Sequence, residues 1–251
     1  MQILGTGLLA RAFSALDVRD DSITIVAKGV ADSRTTDDAA YEREDRELAE
    51  AIDACRPAGR TLVYLSGGGA IYGPRTSIRH EDDELRPMTR YGQHQLRCEQ
   101  AVMAGGVPFL IARIPNAVGH PQRGTQLVPS LVRQVRSGRV TIDPSATRDL
   151  IDAVDVATLV TELLATGLRD VPVNIASGIS TPVGDIVAAI ERLLGTTADH
   201  LESTGGPDPQ RFSVERLQSR LPAWRPAATY PLDVLARYVP GLALDDDRGG
   251  A

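Results

Sequence analysis

The chain has 251 residues, 42% hydrophobic and 24% charged, enough to bury a full core as one domain or as two fused lobes. Its formal net charge of −6 and pI near 5.3 give no general basic footprint for a phosphate backbone, which argues against a nucleic-acid partner but leaves room for a local patch holding a small anion. The only two cysteines, Cys55 and Cys98, lie in helix-like segments without metal-ligand spacing, so they exclude a disulfide framework and suit a reducing compartment.

Short apolar runs alternate with longer helical patterns, which predicts parallel strands joined by right-handed helical crossovers. "MQILG" is a first strand, Leu8 to Leu16 a helix and "SITIVAKG" a second strand. "DDAAYEREDRELAEAIDAC" opens with acids and repeats apolar positions at Leu48, Ile52 and Cys55, the pattern of an amphipathic helix. "TLVYLSGGG" reads as a buried strand ending in glycines, and a polar loop through "GPRTSIRHEDDELRPMT" leads to a helix from about Tyr91 to Met103. "VPFLIARIPNAVG" is a further strand, and the next two helices stop at Gly138 and Gly167. After the strand "VPVNIAS", the helix "TPVGDIVAAIERLLG" has Thr181 as N-cap and Pro182 at its first position. The proline-rich tail from Thr204 predicts only short elements and a frayed "DDDRGGA" end. No apolar run approaches the roughly 18 residues that span a bilayer. The N-terminal run also lacks a signal's basic residues, so a soluble cytoplasmic protein without a membrane partner is expected.

In "ILGTGLLARAF", Gly5, Gly7 and Ala10 form G-x-G-x-x-A directly after a strand and at the opening of a helix. Small residues there let backbone approach a pyrophosphate, and the helix N-terminus offers free N–H groups and partial positive charge. An acid normally follows at the end of the next strand to hold the cofactor ribose. Here that place is Lys28, which either favours a 2′-phosphate or shows that this strand is not the second of a standard fold.

Four stretches together resemble the extended short-chain dehydrogenase/reductase family, the NAD-dependent epimerases, dehydratases and reductases of nucleotide sugars. "VYLSGGGAIYG" is similar to its strand with a Ser/Thr cluster, and "YGQHQLRCEQ" to its Tyr-x-x-x-Lys helix. "ARIPNAVG" resembles its Arg-x-x-Asn-Val-Tyr-Gly strand and "RDLIDAVDVA" its Arg-Asp segment, in the family's order from Met1 to about Gly195. The resemblance implies an α/β fold, a Rossmann-like doubly wound parallel sheet with a small C-terminal substrate lobe. Residues 1–117, with contributions from about 151–177, would form the dinucleotide-binding core, and 118–251 mainly the substrate lobe. There is no room after the first helix for the strand, helix and strand that normally hold the adenosine ribose. "SITIVAKGVADS" therefore resembles the family's fourth strand, and the sheet should be shortened on its adenine side.

By the same resemblance NAD or NADP would lie against Gly5, Gly7, Leu8, Leu9, the Ala27, Lys28 and Gly29 tip, and Pro115. Tyr91 matches the family's proton-transferring tyrosine, Gln95 its lysine and Gly68 its serine or threonine, with Ser66 two residues upstream. A free tyrosine titrates near 10, so proton exchange at neutral pH needs a cation or strong donors nearby. Glutamine donates a hydrogen bond but carries no charge; His94, if it faces the cleft, or Arg90 would supply what is missing. On the substrate side the resemblance implies Gly68, Asn116, Gln126 and Val128 near a sugar and Arg148 near a diphosphate, with Asp149 and Asp155 fixing their loop. "RHEDDE" reads as a solvated loop face, and no metal site is expected.

The leading expectation is an NAD(P)-dependent epimerase, dehydratase or ketoreductase-like enzyme acting on a nucleotide sugar or similar carbonyl compound. The changes at Gly68 and Gln95 keep two alternatives open: non-redox elimination, isomerisation or cyclisation in the same cleft, and a binding or regulatory protein without catalysis. A homodimer through the helices at about Asp38–Cys55 and Tyr91–Met103 is also expected from the resemblance.

Overall fold

A computed structural model describes residues 1–29, 35, 37–203 and 209–248, with 243–248 as backbone only. The first half of the chain alternates strand and helix: β1 (Gln2–Leu4), α1 (Leu8–Ala15), β2 (Ile23–Val26), α2 (Asp38–Ala58), β3 (Thr61–Gly67), the short α3 (Gly68–Ile71), α4 (Arg90–Ala104) and β4 (Phe109–Ile114). The ends of these elements carry their own signals. Asp37 caps α2 by accepting from the Ala39 N–H, Gly59 ends it in the left-handed region, and Thr89 caps α4 by accepting from the Gly92 N–H. β2 is buried throughout, as a strand covered on both faces must be.

The second half begins with β5 (Asn116–Val118), α5 (Leu127–Arg136), β6 (Arg139–Ile142), β7 (Thr147–Asp152), α6 (Ala153–Ala165) and β8 (Val171–Asn174). It continues through β9 (Ser180–Pro182), α7 (Val183–Leu194), β10 (Asp199–Glu202), α8 (Glu215–Arg220) and α9 (Tyr230–Arg248). Three expectations change here. The strand expected over "VPFLIARIPNAVG" divides at Pro115, which has no N–H for a ladder, into β4 and β5 in different sheets. Thr181 does not cap α7, because Ser180–Pro182 pairs antiparallel with β7 and Pro182 takes the cap position. The tail forms the 19-residue helix α9 with Pro240 inside it. It docks on the start of α6: Tyr230 donates to Asp155 at 2.5 Å, and Arg237 and Tyr238 bind Asp152, which itself caps α6. Tertiary anchoring thus overrides the breaking tendency of the prolines.

The main sheet is parallel with strand order β1-β2-β3-β4-β8. β2 sits between β1 and β3, where a second strand of the full fold could not be, so the shortening expected on the adenine side is real among the described residues. α1 packs with α6 on one face, over a core that includes Phe13, Ile25, Val63, Leu110 and Val160. α2 and α4 cover the other face, over Leu48, Leu62, Tyr64, Val102 and Ile111. The steps from β1 to β2 and from β2 to β3 run in the same direction, yet their helices lie on opposite faces, so the two crossovers have opposite hands. The α2 and α4 connections share the right-handed sense nearly universal in parallel sheets, which makes the β1-α1-β2 unit left-handed. This corrects the expectation of uniform right-handed crossovers and follows from joining α1 directly to the next strand that the shortened sheet retains.

β5, β7 and β9 form a small sheet and β6 pairs with β10. With α5, α7 and α9 they enclose a separate cluster that includes Val118, Val132, Leu150, Val187 and Leu235. Among the described residues no helix is long and apolar enough to cross a membrane.

Candidate active site

Gly5 ends β1 with φ +136°, and a β-carbon there would stand 2.3 Å from the Ala27 carbonyl oxygen, so only glycine lets the turn press against β2. Gly7 is the N-cap of α1, makes no side-chain cap, and has open space where a β-carbon would project. The first N–H groups of α1, which have no intrahelical partner, thus begin at an exposed turn with no side-chain cap. Leu8 and Leu9 are half-buried against the core, so their backbone, not their side chains, serves this turn. A cleft of about 520 Å³ opens at the carboxyl ends of β1 and β2, lined by Gly5, Thr6, Lys28, Gly29, Thr35, Ala40, Arg43, Glu44, Glu47 and Arg123. Its charges are mixed: Lys28, Arg43 and Arg123 stand with Glu44 and Glu47, and the Lys28 ammonium is shared with Glu47 at 3.1 Å. Pro115 lies half-buried at the β4–β5 junction, outside this lining.

The start of α4 places Tyr91 over the end of β3, with its hydroxyl against Gly67: a β-carbon on Gly67 would meet the phenolic oxygen at 2.5 Å. Gln95 does not reach into the cleft as a free donor. Its Oε1 accepts from the Gly67 N–H at 3.0 Å and from the Tyr64 hydroxyl at 3.2 Å, so it ties α4 to β3. Burial, followed by the charge of Glu44, pushes the Tyr91 phenol well above its ordinary pKa. Tyr91 at neutral pH is a protonated hydroxyl, able to donate a hydrogen bond, and any proton transfer through it needs a bound partner that stabilises the phenolate.

Both substitute cations are engaged with α2. His94 is fully buried between α4 and α2, with Nε2 3.1 Å from Glu44 and 3.5 Å from the Cys98 sulfur, and Nδ1 3.5 Å from Asp45 and 3.2 Å from Arg97. Arg90 pairs with Asp38 on α2 and lies over the Tyr41 ring. Gly68 lies against the β4 backbone, where a β-carbon would stand 3.0 Å from the Arg113 carbonyl carbon, so its missing side chain suits close packing. Ser66 is also buried, and its Oγ finds no hydrogen-bond partner among the described residues.

On the substrate side Asn116 donates to the Asp149 carbonyl and to Gln210 Oε1, and Gln126 accepts from the Arg123 N–H just before α5. Val128 is buried in the second core cluster and presents no surface to a ligand. Arg148 donates to the Thr147 carbonyl. Asp149 accepts from Ser177 Oγ and N–H and the Gly178 N–H, and Asp155 accepts from Tyr230, both holding the backbone in place. Gln210, which the sequence does not mark, lies opposite Gly69 and Asn116.

Two sequence readings change. "RHEDDE" is not simply a solvated face: Arg79 is 1% exposed and donates to the Pro209 carbonyl, while Glu81 accepts from the Asn174 N–H. Cys98 is not isolated from metal-binding residues, because His94 one turn away and Glu44 on α2 converge on it. The signal for Glu44 was present: it falls on the buried stripe of α2 with Tyr41, Leu48, Ile52 and Cys55, where a carboxylate needs a reason.

Two curated proteins, threonine–tRNA ligases from two strains of Treponema pallidum, match at 35% identity over 68 residues, 27% of this chain; the chain spans about 11% of their length, too little to carry a shared function. Among solved structures, RMD from Pseudomonas aeruginosa complexed with NADPH is 19% identical with a TM-score of 0.72, covering 94% of this chain and 99% of that one. UDP-glucose 4-epimerase from Thermus thermophilus, in complex with NAD, is 21% identical at TM-score 0.73, covering 93% and 81%. dTDP-glucose 4,6-dehydratase from Bacillus anthracis, in complex with NAD, is 18% identical at TM-score 0.75, covering 96% and 76%. At these identities the likeness is one of fold. The sequence profile of the NAD dependent epimerase/dehydratase family matches residues 8–176, from the start of α1 to just beyond β8. With more than half its length matched by that profile, the chain belongs to the NAD dependent epimerase/dehydratase family.

Proposed function

We propose that the protein is an NAD(P)-dependent enzyme of epimerase, dehydratase or ketoreductase type, acting on a nucleotide sugar or similar small carbonyl compound, with Tyr91 as its proton donor. The observation that carries this reading is the glycine turn after β1 beside a cleft at the carboxyl edge of the sheet, with Arg43 and Arg123 in its lining, the place where doubly wound folds take dinucleotides. The family match and the nicotinamide cofactors named in the three neighbours support it.

The residues fit the diphosphate of such a cofactor: Gly5 and Gly7 keep side chains out, the start of α1 presents N–H groups, and Arg43 and Arg123 supply charge. When bound, the dinucleotide supplies hydride transfer. The chain's own part is to place the Tyr91 hydroxyl over Gly67, where it donates to a substrate oxygen as that oxygen gains charge.

Isothermal titration with NAD(H) and NADP(H) tests the reading. Saturable binding that weakens on Arg123→Ala supports it, and no binding at millimolar concentration overturns the redox function. A second reading, non-redox chemistry or binding alone, is favoured by Gln95 being committed to Gly67 and Tyr64 and by the sheet ending at β1. A homodimer through α2 and α4 belongs to the same proposal, and a monomer by gel filtration at high concentration overturns that part.

A further inference from the structure

Two helices meet behind Tyr91 in a polar cluster that the fold alone does not explain. His94 and Cys98 stand one turn apart on α4, and Glu44 faces them from α2; all three are buried, and their donor atoms lie within 4.8 Å of one another. His94 Nε2 is 3.1 Å from Glu44 Oε2 and 3.5 Å from Cys98 Sγ. In a tetrahedral zinc site, bond lengths of about 2.3 Å to sulfur and about 2.0 Å to nitrogen and oxygen place sulfur and nitrogen about 3.6 Å apart and nitrogen and oxygen about 3.3 Å apart. Both His94 spacings are close to these values, and Glu44 and Cys98 lie within 4.8 Å of each other.

We propose that Glu44, His94 and Cys98 bind a divalent, borderline-soft metal ion, zinc or cobalt, that joins α2 to α4. The donor set of thiolate, imidazole and carboxylate is one that zinc selects, and magnesium and calcium do not. Asp45 lies 3.5 Å from Nδ1, the nitrogen that must keep its proton when Nε2 binds the metal, and is placed to orient the ring as an outer partner. Exposed Arg97 now donates to Nδ1 and has to swing aside. On binding, the metal forms a bond to sulfur and the thiol proton passes to solvent. Three protein donors leave a fourth position, and Glu44 also lines the cleft beside Lys28 and Gly29, so water or a ligand in that cleft completes the sphere. The site goes beyond the dinucleotide reading and stands without it.

Cobalt(II) titration of the full chain, stripped with chelator, is the test. The expected result is a thiolate-to-cobalt charge-transfer band that saturates near one equivalent and is displaced by zinc. It should persist in Cys55→Ser, vanish in Cys98→Ser, and require more than ~100-fold higher cobalt in Glu44→Gln, a larger loss than outer-shell substitutions give. If the wild-type chain shows no such band at stoichiometric cobalt, or if the band survives Cys98→Ser, the proposal is overturned. The wild-type titration decides even if a variant fails to fold.

Discussion

The phenolic oxygen of Tyr91 lies so close to the α-carbon of Gly67 that a β-carbon there would come within 2.5 Å of it. Gly67→Ala is therefore expected to cost ~1–3 kcal/mol by overpacking and to lower any turnover that depends on Tyr91. Part of the stability loss should return in the Gly67→Ala, Tyr91→Phe pair, because the hydroxyl is the nearest clashing atom. Urea unfolding of the four proteins of that cycle measures the coupling.

Gln95 accepts from both the Gly67 N–H and the Tyr64 hydroxyl. Gln95→Leu takes the side-chain acceptor from the Gly67 N–H and leaves the Tyr64 hydroxyl only its longer bond to Glu44 at 3.5 Å, and should destabilise by ~1–3 kcal/mol in chemical denaturation. Gln95→Lys, which restores the residue type of the resembling helix, should not rescue function, since an ammonium cannot accept those bonds.

Gly5 and Gly7 separate folding from binding. Gly5→Ala drives a β-carbon into the Ala27 carbonyl and should lower the melting temperature. Gly7→Ala meets nothing within 4 Å and should leave the melting temperature nearly unchanged, while reducing dinucleotide affinity at least ~10-fold by titration calorimetry.

Burial raises the Asp149 pKa to about 7, against the opposing pull of its three hydrogen bonds from Ser177 and Gly178. The unfolded carboxyl titrates near 3.9. The folded state therefore holds the proton more tightly: its full stabilisation is present below about pH 4 and is lost as pH rises through about 7, on the order of 4 kcal/mol in all. Denaturant midpoints recorded from pH 4 to 8 check the slope, which Asp149→Asn should flatten.

Arg113 and Glu99, both buried, are joined at 2.7 Å between β4 and α4. Glu99→Leu strands a guanidinium in the core and should cost ~3–5 kcal/mol, and adding Arg113→Met should recover much of it. Thermal unfolding of both variants gives the comparison.

Much of the fold was legible because it rests on local rules: the buried "ITIV" and "FLIARI" strands, the amphipathic stripe of α2, and the glycine turn after β1. The deletion of the adenine-side strands could also be read, from chain length between segments. What escaped depends on distant partners. α9 forms over prolines because Asp152 and Asp155 anchor it, and the hand of the first crossover is set by which face α1 finds covered by α6. The site was legible as positions but not as directions. Spacing puts His94 and Gln95 beside Tyr91, yet rotation about the α4 axis sends one toward Glu44 and the other to the β3 backbone.

The glycine turn hangs from β1, a three-residue strand at the margin of the sheet with only β2 beside it. Marginal strands open most readily, so retaining a guest and fastening this border become one equilibrium. A molecule seated at the turn would slow amide exchange from Gln2 through Ala15 in proportion to its occupancy, leaving the central strands as they were.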